Sequence, residues 1–434
     1  MAKKVIFVHY KTHTLDGVSL EIEHRARIFK NWGWKVFYLT GEDPLEKQAK
    51  NIYIIPELKI KNKTNLILNQ ILFEKTDADE NIALTFFELR KKLIFSKISR
   101  VFKKIQPNLV YIHNLFSYAC NLPATKALMD LLDQIQTPTL IHAPDFWFTR
   151  EAFAKPQFAF VKNILSQMPP KRDYILGLQV INSLEKKQVE RKRRLKADLF
   201  ADVFDFDQKN PASKKAVQQI REKYKIKNHP LILHATRITR RKNIENSLLF
   251  SAELQKKIGK KIFLLFPNFV ESGDEEYAAK LQQMAKTLNI NAIWAQKDFA
   301  LQRNPAKGIF SFWDAYDVAD IITYTSQWEG FGNQLLEAVF FRKILVLFEY
   351  PVFKTDIKKQ GYKYISLGDK IIKRSWRREV PKACLASAAE KTAYFLQKKE
   401  KWKKIAEKNF CIAKRHHHIK NLELYLKEKL KSIS

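Results

Sequence analysis

Short apolar runs alternate with helical patterns along the first half of the chain. Apolar residues spaced three and four apart indicate amphipathic helices, and short apolar runs bounded by turn residues indicate buried strands. This alternation predicts an α/β domain built on a parallel, doubly wound sheet. The candidate strands are Val5–Tyr10, Val36–Thr40, Ile52–Ile55, Leu109–His113, Thr139–His142 and Leu178–Ile181, and the candidate helices are Ser19–Trp32, roughly Phe86–Ile105, Pro123–Gln136 and Leu184–Leu195.

The same alternation restarts after a polar segment, Asp205–Ser213, which we interpret as a linker. Beyond Pro381 the pattern is helical and basic as far as Ser434. The later candidate strands are Leu231–Thr236, Ile262–Phe266, Ala292–Trp294, Ile321–Thr325 and Ile344–Phe348, with helices expected from Asn243, Asp274 and Asn333.

We therefore expect two Rossmann-like, doubly wound parallel-sheet domains facing a cleft, with C-terminal helices crossing back toward the first domain. The expected boundaries are residues 1–207, 208–398 and 399–434. Ligands of such sheets lie at the carboxyl ends of the strands, so the chemistry is expected in the cleft.

The composition excludes several other classes of protein. A chain of 434 residues with 46% hydrophobic and 28% charged residues is neither wholly disordered nor fibrous. No apolar run reaches the roughly 18 residues of a membrane-spanning helix, and the apolar part of the N-terminus is too short for a signal peptide. Three widely spaced cysteines, Cys120, Cys384 and Cys411, form neither a disulfide framework nor a metal-ligand pattern. We expect a cytoplasmic protein without a bound metal.

The formal net charge of +33 would attract polyanions such as nucleic acid, anionic lipid or phosphorylated substrates. A lysine-rich but otherwise inert surface is an equally simple interpretation. Within residues 91–105 an apolar stripe is flanked by Lys and Arg, a pattern typical of a helix on an anionic membrane or of a helix packed on a sheet. We favour packing on the sheet; the stripe consists of Ile94, Phe95, Ile98, Val101, Phe102 and Ile105.

The segment Thr325–Ala338 holds the densest chemistry of the chain. A strand is expected to end near Thr325, and a helix to begin near Asn333, where free N–H groups suit a diphosphate. Gly330 and Gly332 allow the backbone to approach a ligand. On the helix, the Glu337 carboxylate suits the two hydroxyls of a ribose. In the turn, Glu329 could accept sugar hydroxyls; an ordinary turn with a helix-start carboxylate is the alternative.

A second constellation, Thr236–Asn243, follows the first strand of the second domain. Its Arg237 and Lys242 lie five positions apart across a loop. Cations placed there can neutralise a diphosphate leaving group without a metal. Solvent-facing bases in a basic protein are the alternative.

These two segments carry a resemblance to a known family. Glu329 and Glu337, within EGFGNQLLEA, resemble the EX7E motif of family-4 retaining glycosyltransferases with the GT-B fold, and Arg237 and Lys242 resemble that family's phosphate-binding Arg and Lys. The segment Leu15–Glu21 is similar to the family's glycine loop. The resemblance extends over nearly the whole chain.

The resemblance implies a role for each matched residue. Arg237 and Lys242 would hold the nucleotide diphosphate and Glu337 the ribose, while Gly17 would approach phosphates or acceptor from the N-terminal domain. The transferred sugar would be held by Glu329 together with the backbone of Gly330, Phe331, Gly332 and Asn333. The family transfers sugar with retention of configuration and without a metal.

One departure concerns the N-terminal domain, where the family carries a His at a strand end, often directly before an Asp. Here Pro144 precedes Asp145, and His142 lies three residues earlier. Either His142 or Asp145 takes the sugar-facing role, or His142 is a structural strand-end histidine. The loop after Phe266 also lacks the usual glycine, so the wall around the base is expected to differ.

Two other functions compete with this interpretation. A metal-dependent GT-A glycosyltransferase needs an Asp-x-Asp after a strand, a pattern found at Asp77–Asp79 and Asp205–Asp207. A nucleic-acid-binding protein would explain the charge, but no recognisable binding module is present. The absence of GxGxxG after the first strand argues against a nicotinamide dehydrogenase.

The sequence thus predicts a hexosyltransferase that uses a nucleotide-sugar donor, UDP- or GDP-linked, and a saccharide or lipid-linked acceptor. An anionic membrane surface is a further candidate partner, with the protein peripheral on its inner face, and no specific nucleic acid is expected.

Overall fold

A computed structural model describes residues 2–14, 17–44, 50–74 and 77–433. Leu15 and Asp16, in the segment that resembles the glycine loop, lie outside the described residues. The chain divides into two compact units, Met1–Val203 with Ile419–Ser434, and Phe204–His418. This division places the first boundary four residues before the expected 207/208. It also divides the expected C-terminal segment, because residues 399–418 pack in the second unit and residues 419–434 in the first.

The first unit is built on a seven-stranded sheet whose strands all run parallel. Its strands are β1 (Lys4–His9), β2 (Lys35–Thr40), β3 (Ile52–Ile54), β4 (Leu109–His113), β5 (Thr139–His142), β6 (Ile175–Val180) and β7 (Asp198–Leu199). The strand order is β3-β2-β1-β4-β5-β6-β7, so the winding direction reverses between β1 and β4.

Helices of this unit connect the strands. They are α1 (Gly17–Asn31), α2 (Lys63–Phe73), α3 (Glu80–Ile105), α4 (Leu122–Ile135), α5 (Ala159–Ser166) and α6 (Ser183–Arg193). In α3, Ile94, Ile98 and Phe102 are buried in the main core of the unit, which confirms the predicted packing against the sheet. The same stripe is therefore not available to a membrane surface. Within the described ranges, no helix has both the length and the apolar character needed to cross a bilayer.

The second unit contains a six-stranded parallel sheet of the same winding, in the order β10-β9-β8-β13-β14-β15. Here the reversal falls between β8 and β13, which pair directly through Ile321 and Ile232. Its strands are β8 (Leu231–Leu233), β9 (Phe263–Phe266), β10 (Asn291–Trp294), β13 (Ile321–Tyr324), β14 (Ile344–Leu347) and β15 (Ile365–Ser366). Two short ladders lie outside it: β11 (Phe299–Ala300) with β12 (Phe310–Ser311), and an antiparallel hairpin of β16 (Ile372–Arg374) and β17 (Arg377–Glu379).

Seven α-helices among the described residues belong to the second unit. They are α7 (Lys214–Lys223), α8 (Glu245–Ile258), α9 (Glu275–Thr287), α10 (Phe312–Val318), α11 (Asn333–Phe340), α12 (Lys382–Gln397) and α13 (Lys399–His417).

The last helix, α14 (Ile419–Lys429), returns to the first unit. Its Leu422 and Leu426 are fully buried in a hydrophobic cluster with Val5 and Phe7 of β1. Burial of this leucine stripe explains why the chain has to come back: without it, one face of the first sheet would expose apolar side chains to water. The two parallel sheets confirm the predicted α/β architecture and exclude the GT-A alternative.

Candidate active site

The site in the second unit forms at the carboxyl ends of β8 and β13, where the winding of the sheet reverses. Parallel sheets bind ligands at such switch points. Thr236–Asn243 follows β8, and Thr325–Gly332 follows β13, so the two segments singled out in the sequence meet. The Thr325 hydroxyl donates to the backbone carbonyl of Lys242 at 2.9 Å, and the backbone N–H of Gln327 donates to the backbone carbonyl of Arg241 at 3.1 Å.

The centre of the site is a carboxylate held by two cations. The Lys242 ammonium donates to Oε1 of Glu329, and Nη1 of Arg241 lies 3.2 Å from Oε2 of the same side chain. Lys242 is 7% and Glu329 8% exposed. A buried carboxylate needs such partners, because an ion without a partner is costly in a medium of low dielectric constant.

The same contacts set the protonation states of the pair. Burial alone would raise the pKa of the Glu329 carboxyl, but the charges of Lys242 and Arg241 lower it to about 2. Burial lowers the pKa of the Lys242 ammonium to about 8, although Glu329 opposes this shift. At neutral pH the site therefore holds an ionised carboxylate beside a lysine close to its own pKa.

Arg237 lies in the same loop but has a different partner. Its Nη1 lies 3.2 Å from Oε1 of Glu271, and its side chain is partly exposed. The positive charge of Arg237 nevertheless contributes to the lowered pKa of Lys242. The structure thus brings Lys242 and Glu329 into contact and leaves Arg237 at the edge of the site.

Helix α11 begins at Asn333 and carries Glu337 one turn later, as predicted. Oε2 of Glu337 accepts a hydrogen bond from the Tyr316 hydroxyl. Burial raises the pKa of the Glu337 carboxyl, while Tyr316 and the charge of Lys242 oppose the increase. Glu337 thus lies within the electrostatic influence of the Lys242 centre.

The turn before α11 requires glycine at position 332. Gly332 has φ of 128°, and a Cβ at this position would collide with the hydroxyls of Tyr324 and Tyr350. The Tyr350 hydroxyl is in turn occupied, since it donates to the Phe331 carbonyl at 2.5 Å. Two buried tyrosines, Tyr324 and Tyr350, therefore pack against the backbone of this turn and restrict its conformation. Gly330, at the start of the turn, is partly exposed.

Several buried polar atoms of the two loops and of the start of α11 have no hydrogen-bond partner among the residues that the structure describes. They include both side-chain polar atoms of Asn243, Oδ1 of Asn333 and Oε1 of Gln334. Buried polar groups are normally hydrogen-bonded, because leaving one unsatisfied costs about 1–3 kcal/mol. These atoms belong to the residue directly after Lys242 and to the start of α11, where water or a polar ligand can supply the missing hydrogen bonds.

The residues predicted in the first unit form a separate group. His142 ends β5 and is almost completely buried; its Nδ1 lies 3.0 Å from Nδ1 of His113 at the end of β4. The His113 carbonyl accepts a hydrogen bond from His9, at the end of β1, at 2.9 Å. Burial and the charge of Arg25 hold the pKa of His142 well below its usual value, so the ring is neutral at pH 7.

Asp145 and Gly17 occupy more exposed positions. Asp145 forms an ion pair with Arg150, and Gly17 is the exposed first residue of α1. Of the two Asp-x-Asp patterns, Asp79 caps the N-terminus of α3 through its carboxylate, and Asp207 pairs with Lys414.

Two contributors to the second-unit site were missed from the sequence. Arg241 was part of the basic run, but nothing in the spacing distinguished it from its neighbours as the second partner of Glu329. Tyr316 lies in α10, 21 residues before Glu337, and no local pattern links the two. In the first unit, the sequence showed only that His113 ends a strand. It did not show that His113 contacts His142 or that its ring is neutral.

Two Rossmann-like units, each built on a parallel sheet, are the architecture of the GT-B fold. The profile of the group 1 glycosyl transferases matches residues 216–365, which include both loops of the site. The mannosylglucosylglycerate synthase of Petrotoga mobilis is 32% identical over 381 residues, covering 84% of this chain and 86% of that protein. The chain therefore belongs to the group 1 glycosyl transferase family.

Two further relatives extend this comparison. The mannosylglucosylglycerate synthase of Thermotoga maritima is 29% identical over 454 residues, covering 97% of this chain and 98% of that protein. The crystal structure of Anabaena HepE in complex with UDP-glucose has a TM-score of 0.62 at 12% identity and covers 99% of both chains. At that identity the structural likeness shows the fold alone.

Proposed function

We propose that the chain is a retaining, metal-independent hexosyltransferase of family 4 and that Glu329 and Glu337 are its EX7E carboxylates. The observation that carries the proposal is the buried Lys242–Glu329–Arg241 centre at the sheet switch point. A cation pair, a carboxylate and unsatisfied polar atoms together suit a ligand that carries both a diphosphate and a sugar.

The role of each side chain in binding the donor follows from its hydrogen-bonding capacity. The Lys242 ammonium has three donors and uses one on Glu329, so donors remain for diphosphate oxygens. Arg237 adds a second cation once it exchanges Glu271 for the diphosphate. Charge that develops on the leaving group is then met by fixed cations, which is the main physical requirement of the step.

The two glutamates serve the neutral parts of the donor. Tyr316 occupies Oε2 of Glu337, leaving Oε1 to accept ribose hydroxyls. Arg241 and Lys242 keep Glu329 ionised, so that its remaining lone pairs accept hydroxyls of the transferred sugar. Next to it, the backbone of Gly330, Phe331, Gly332 and Asn333 borders the same sugar.

For the product, we propose a hexosylated glycoside of glycerate, and mannosylglucosylglycerate in particular. Both curated relatives are named as synthases of that compound, and each aligns with most of the chain. The donor is a UDP- or GDP-linked hexose, and the acceptor is an anionic saccharide. In the first unit, either His142 or Asp145 faces the sugar.

Both proposed substrates are anionic, which suits an enzyme with a net charge of +33. We place this enzyme in the cytoplasm.

The test is a transfer assay in EDTA with GDP-mannose, UDP-glucose and UDP-galactose as donors and glucosylglycerate as the acceptor. We expect one donor to give a disaccharide glycerate whose new linkage has the anomeric configuration of the donor, as measured by NMR. Inversion of configuration, or complete dependence on added divalent cation, would contradict the mechanism. Absence of transfer to glucosylglycerate would contradict the acceptor.

A further inference from the structure

The antiparallel hairpin of β16 and β17 places basic residues beside the site loop of the second unit. The hairpin falls after β15 and was not predicted from the sequence. Nη1 of Arg378 donates to Oε1 of Gln327 at 2.8 Å, and Gln327 lies two positions before Glu329. The hairpin thus touches the segment that carries the central carboxylate of the site.

Buried groups fix the backbone of this hairpin. Oε1 of Glu245 accepts the Arg378 N–H at 2.9 Å, and Asn246 accepts the Val380 N–H at 2.7 Å and donates to the Arg378 carbonyl at 2.8 Å. Glu245 and Asn246 are the first residues of α8 and are buried. Buried groups therefore hold the backbone at Arg378, and the hydrogen bond to Gln327 orients its side chain.

The charges of the hairpin arginines are compensated unequally. Arg374 and Arg377 both face Glu379, at 3.4 and 2.9 Å. The guanidinium of Arg378, in contrast, has no carboxylate within ion-pair distance among the residues that the structure describes, and its hydrogen-bond partner Gln327 is neutral. Arg378 is exposed, so an anionic ligand can reach it.

The accessible donor at this position is the Arg378 guanidinium. Nε2 of Gln327 is buried and makes no hydrogen bond to any residue that the structure describes, whereas Arg378 is exposed. A planar guanidinium binds a carboxylate through two parallel N–H donors. Trp376, on the same hairpin, packs against Tyr277 and adds an aromatic surface of the kind that sugars contact.

We propose that Arg378 is a specificity-determining residue that binds the carboxylate of the anionic acceptor at the rim of the Thr325–Gly332 loop. This inference rests on the proposed function, since it assigns the contact for the acceptor of that reaction. Lys242, Arg241 and Arg237 are held by Glu329 and Glu271 around the donor, whereas Arg378 lies outside that set.

The experiment compares glucosylglycerate with its uncharged methyl ester as acceptors, at saturating donor sugar. The variant is Arg378→Gln, and the matched control is Arg374→Gln, which removes the same charge from the same hairpin. We expect Arg378→Gln to raise KM for glucosylglycerate about ten- to a hundredfold, the usual effect of losing a charged hydrogen bond. KM for the methyl ester and for the donor should change less than about twofold, and Arg374→Gln should resemble the wild type.

Three results would overturn the inference. An equal change in KM for the acid and for its methyl ester would show that Arg378 does not bind the carboxylate. An increase in KM for the donor alone would make Arg378 a nucleotide contact, and an equal effect of Arg374→Gln would show a general effect of charge. If the wild type fails to use glucosylglycerate, the proposed function fails together with the inference; if the wild type succeeds and Arg378→Gln behaves like it, only the inference fails.

Discussion

The pair of Lys242 and Glu329 controls both the stability and the charge of the site. Removing one member of a buried ion pair leaves the other without a partner, which typically destabilises a protein by about 3–5 kcal/mol. We expect Lys242→Met to lower the free energy of unfolding by about that amount, measured by chemical denaturation.

The double variant Lys242→Met/Glu329→Leu serves as the control. With both charges removed, no buried ion is left without a partner, and most of the lost stability should return. A double variant as unstable as Lys242→Met alone would show that packing rather than charge causes the loss.

The pKa values of this pair also predict a dependence on pH. The pKa of Glu329 is depressed to about 2 in the folded protein, below that of an ordinary glutamate. Its contribution to stability is therefore complete above the unfolded pKa of about 4.3 and is lost as the pH falls toward 2. We expect Glu329→Gln to abolish that part of the loss of stability in acid, as measured by chemical unfolding between pH 5 and pH 2 at roughly half-unit steps. If the variant loses as much stability as the wild type over this range, Glu329 does not have the depressed pKa.

Lys242 acts at the opposite end of the pH range. With a folded pKa of about 8, its ammonium loses its proton as the pH rises through 8. Diphosphate binding to the free enzyme should weaken over that interval, and kcat/KM for the donor should fall with it. A profile that stays flat to pH 10 would contradict the role of Lys242 as the ionised phosphate contact.

At the scale of elements, the turn between β13 and α11 depends on Gly332. We expect Gly332→Ala to lower both the stability and the affinity for nucleotide, because a Cβ would collide with Tyr324 and Tyr350. Gly33→Ala is the matched control: Gly33 also has a positive φ, of 76°, but a Cβ there meets nothing within 4 Å. It should cost only about 1–2 kcal/mol of backbone strain. Equal losses in denaturation experiments would exclude the tyrosine collision as the cause.

Helix α14 gives a second test at this scale. Leu422 is fully buried against the first sheet, whereas Leu424 on the same helix is 66% exposed. We expect Leu422→Ala to reduce the free energy of unfolding by about 2–5 kcal/mol and Leu424→Ala to change it little. Similar effects of the two substitutions would contradict the placement of α14 in the core of the first unit.

The elements that the sequence predicted well are those whose pattern is local. The buried strands β4 and β5 begin and end where their apolar runs predicted, and Asn333 begins α11. Short elements of mixed composition were missed, among them α2, α5 and the hairpin of β16 and β17. In such segments the tertiary contacts decide the structure: Glu245 and Asn246 hold the hairpin from a distance of more than 100 residues along the chain.

For the whole molecule, strand order was the information that the sequence lacked. The pattern indicated two sheets and two candidate loops, but only the pairing of β8 with β13 brings Lys242 and Glu329 together across 87 positions of sequence. The path of the chain was partly predictable, since the helical pattern after Pro381 indicated a return to the first domain. The sequence did not show that the chain changes units at His418, because α13 packs on α11 and α12 of the second unit whereas α14 packs on the first sheet.

The central claim is that the Lys242–Glu329 centre binds a nucleotide-sugar donor without a metal. The most direct measurement is thermal unfolding in EDTA with UDP, GDP, ADP and their sugar conjugates, on the wild type and on Lys242→Met/Glu329→Leu. At 100 times its dissociation constant, a ligand adds about 2.7 kcal/mol to the stability of the native state. We predict that one nucleotide series stabilises the wild type by about that amount and leaves the double variant unchanged. Stabilisation of neither protein, or of both equally, would contradict the claim.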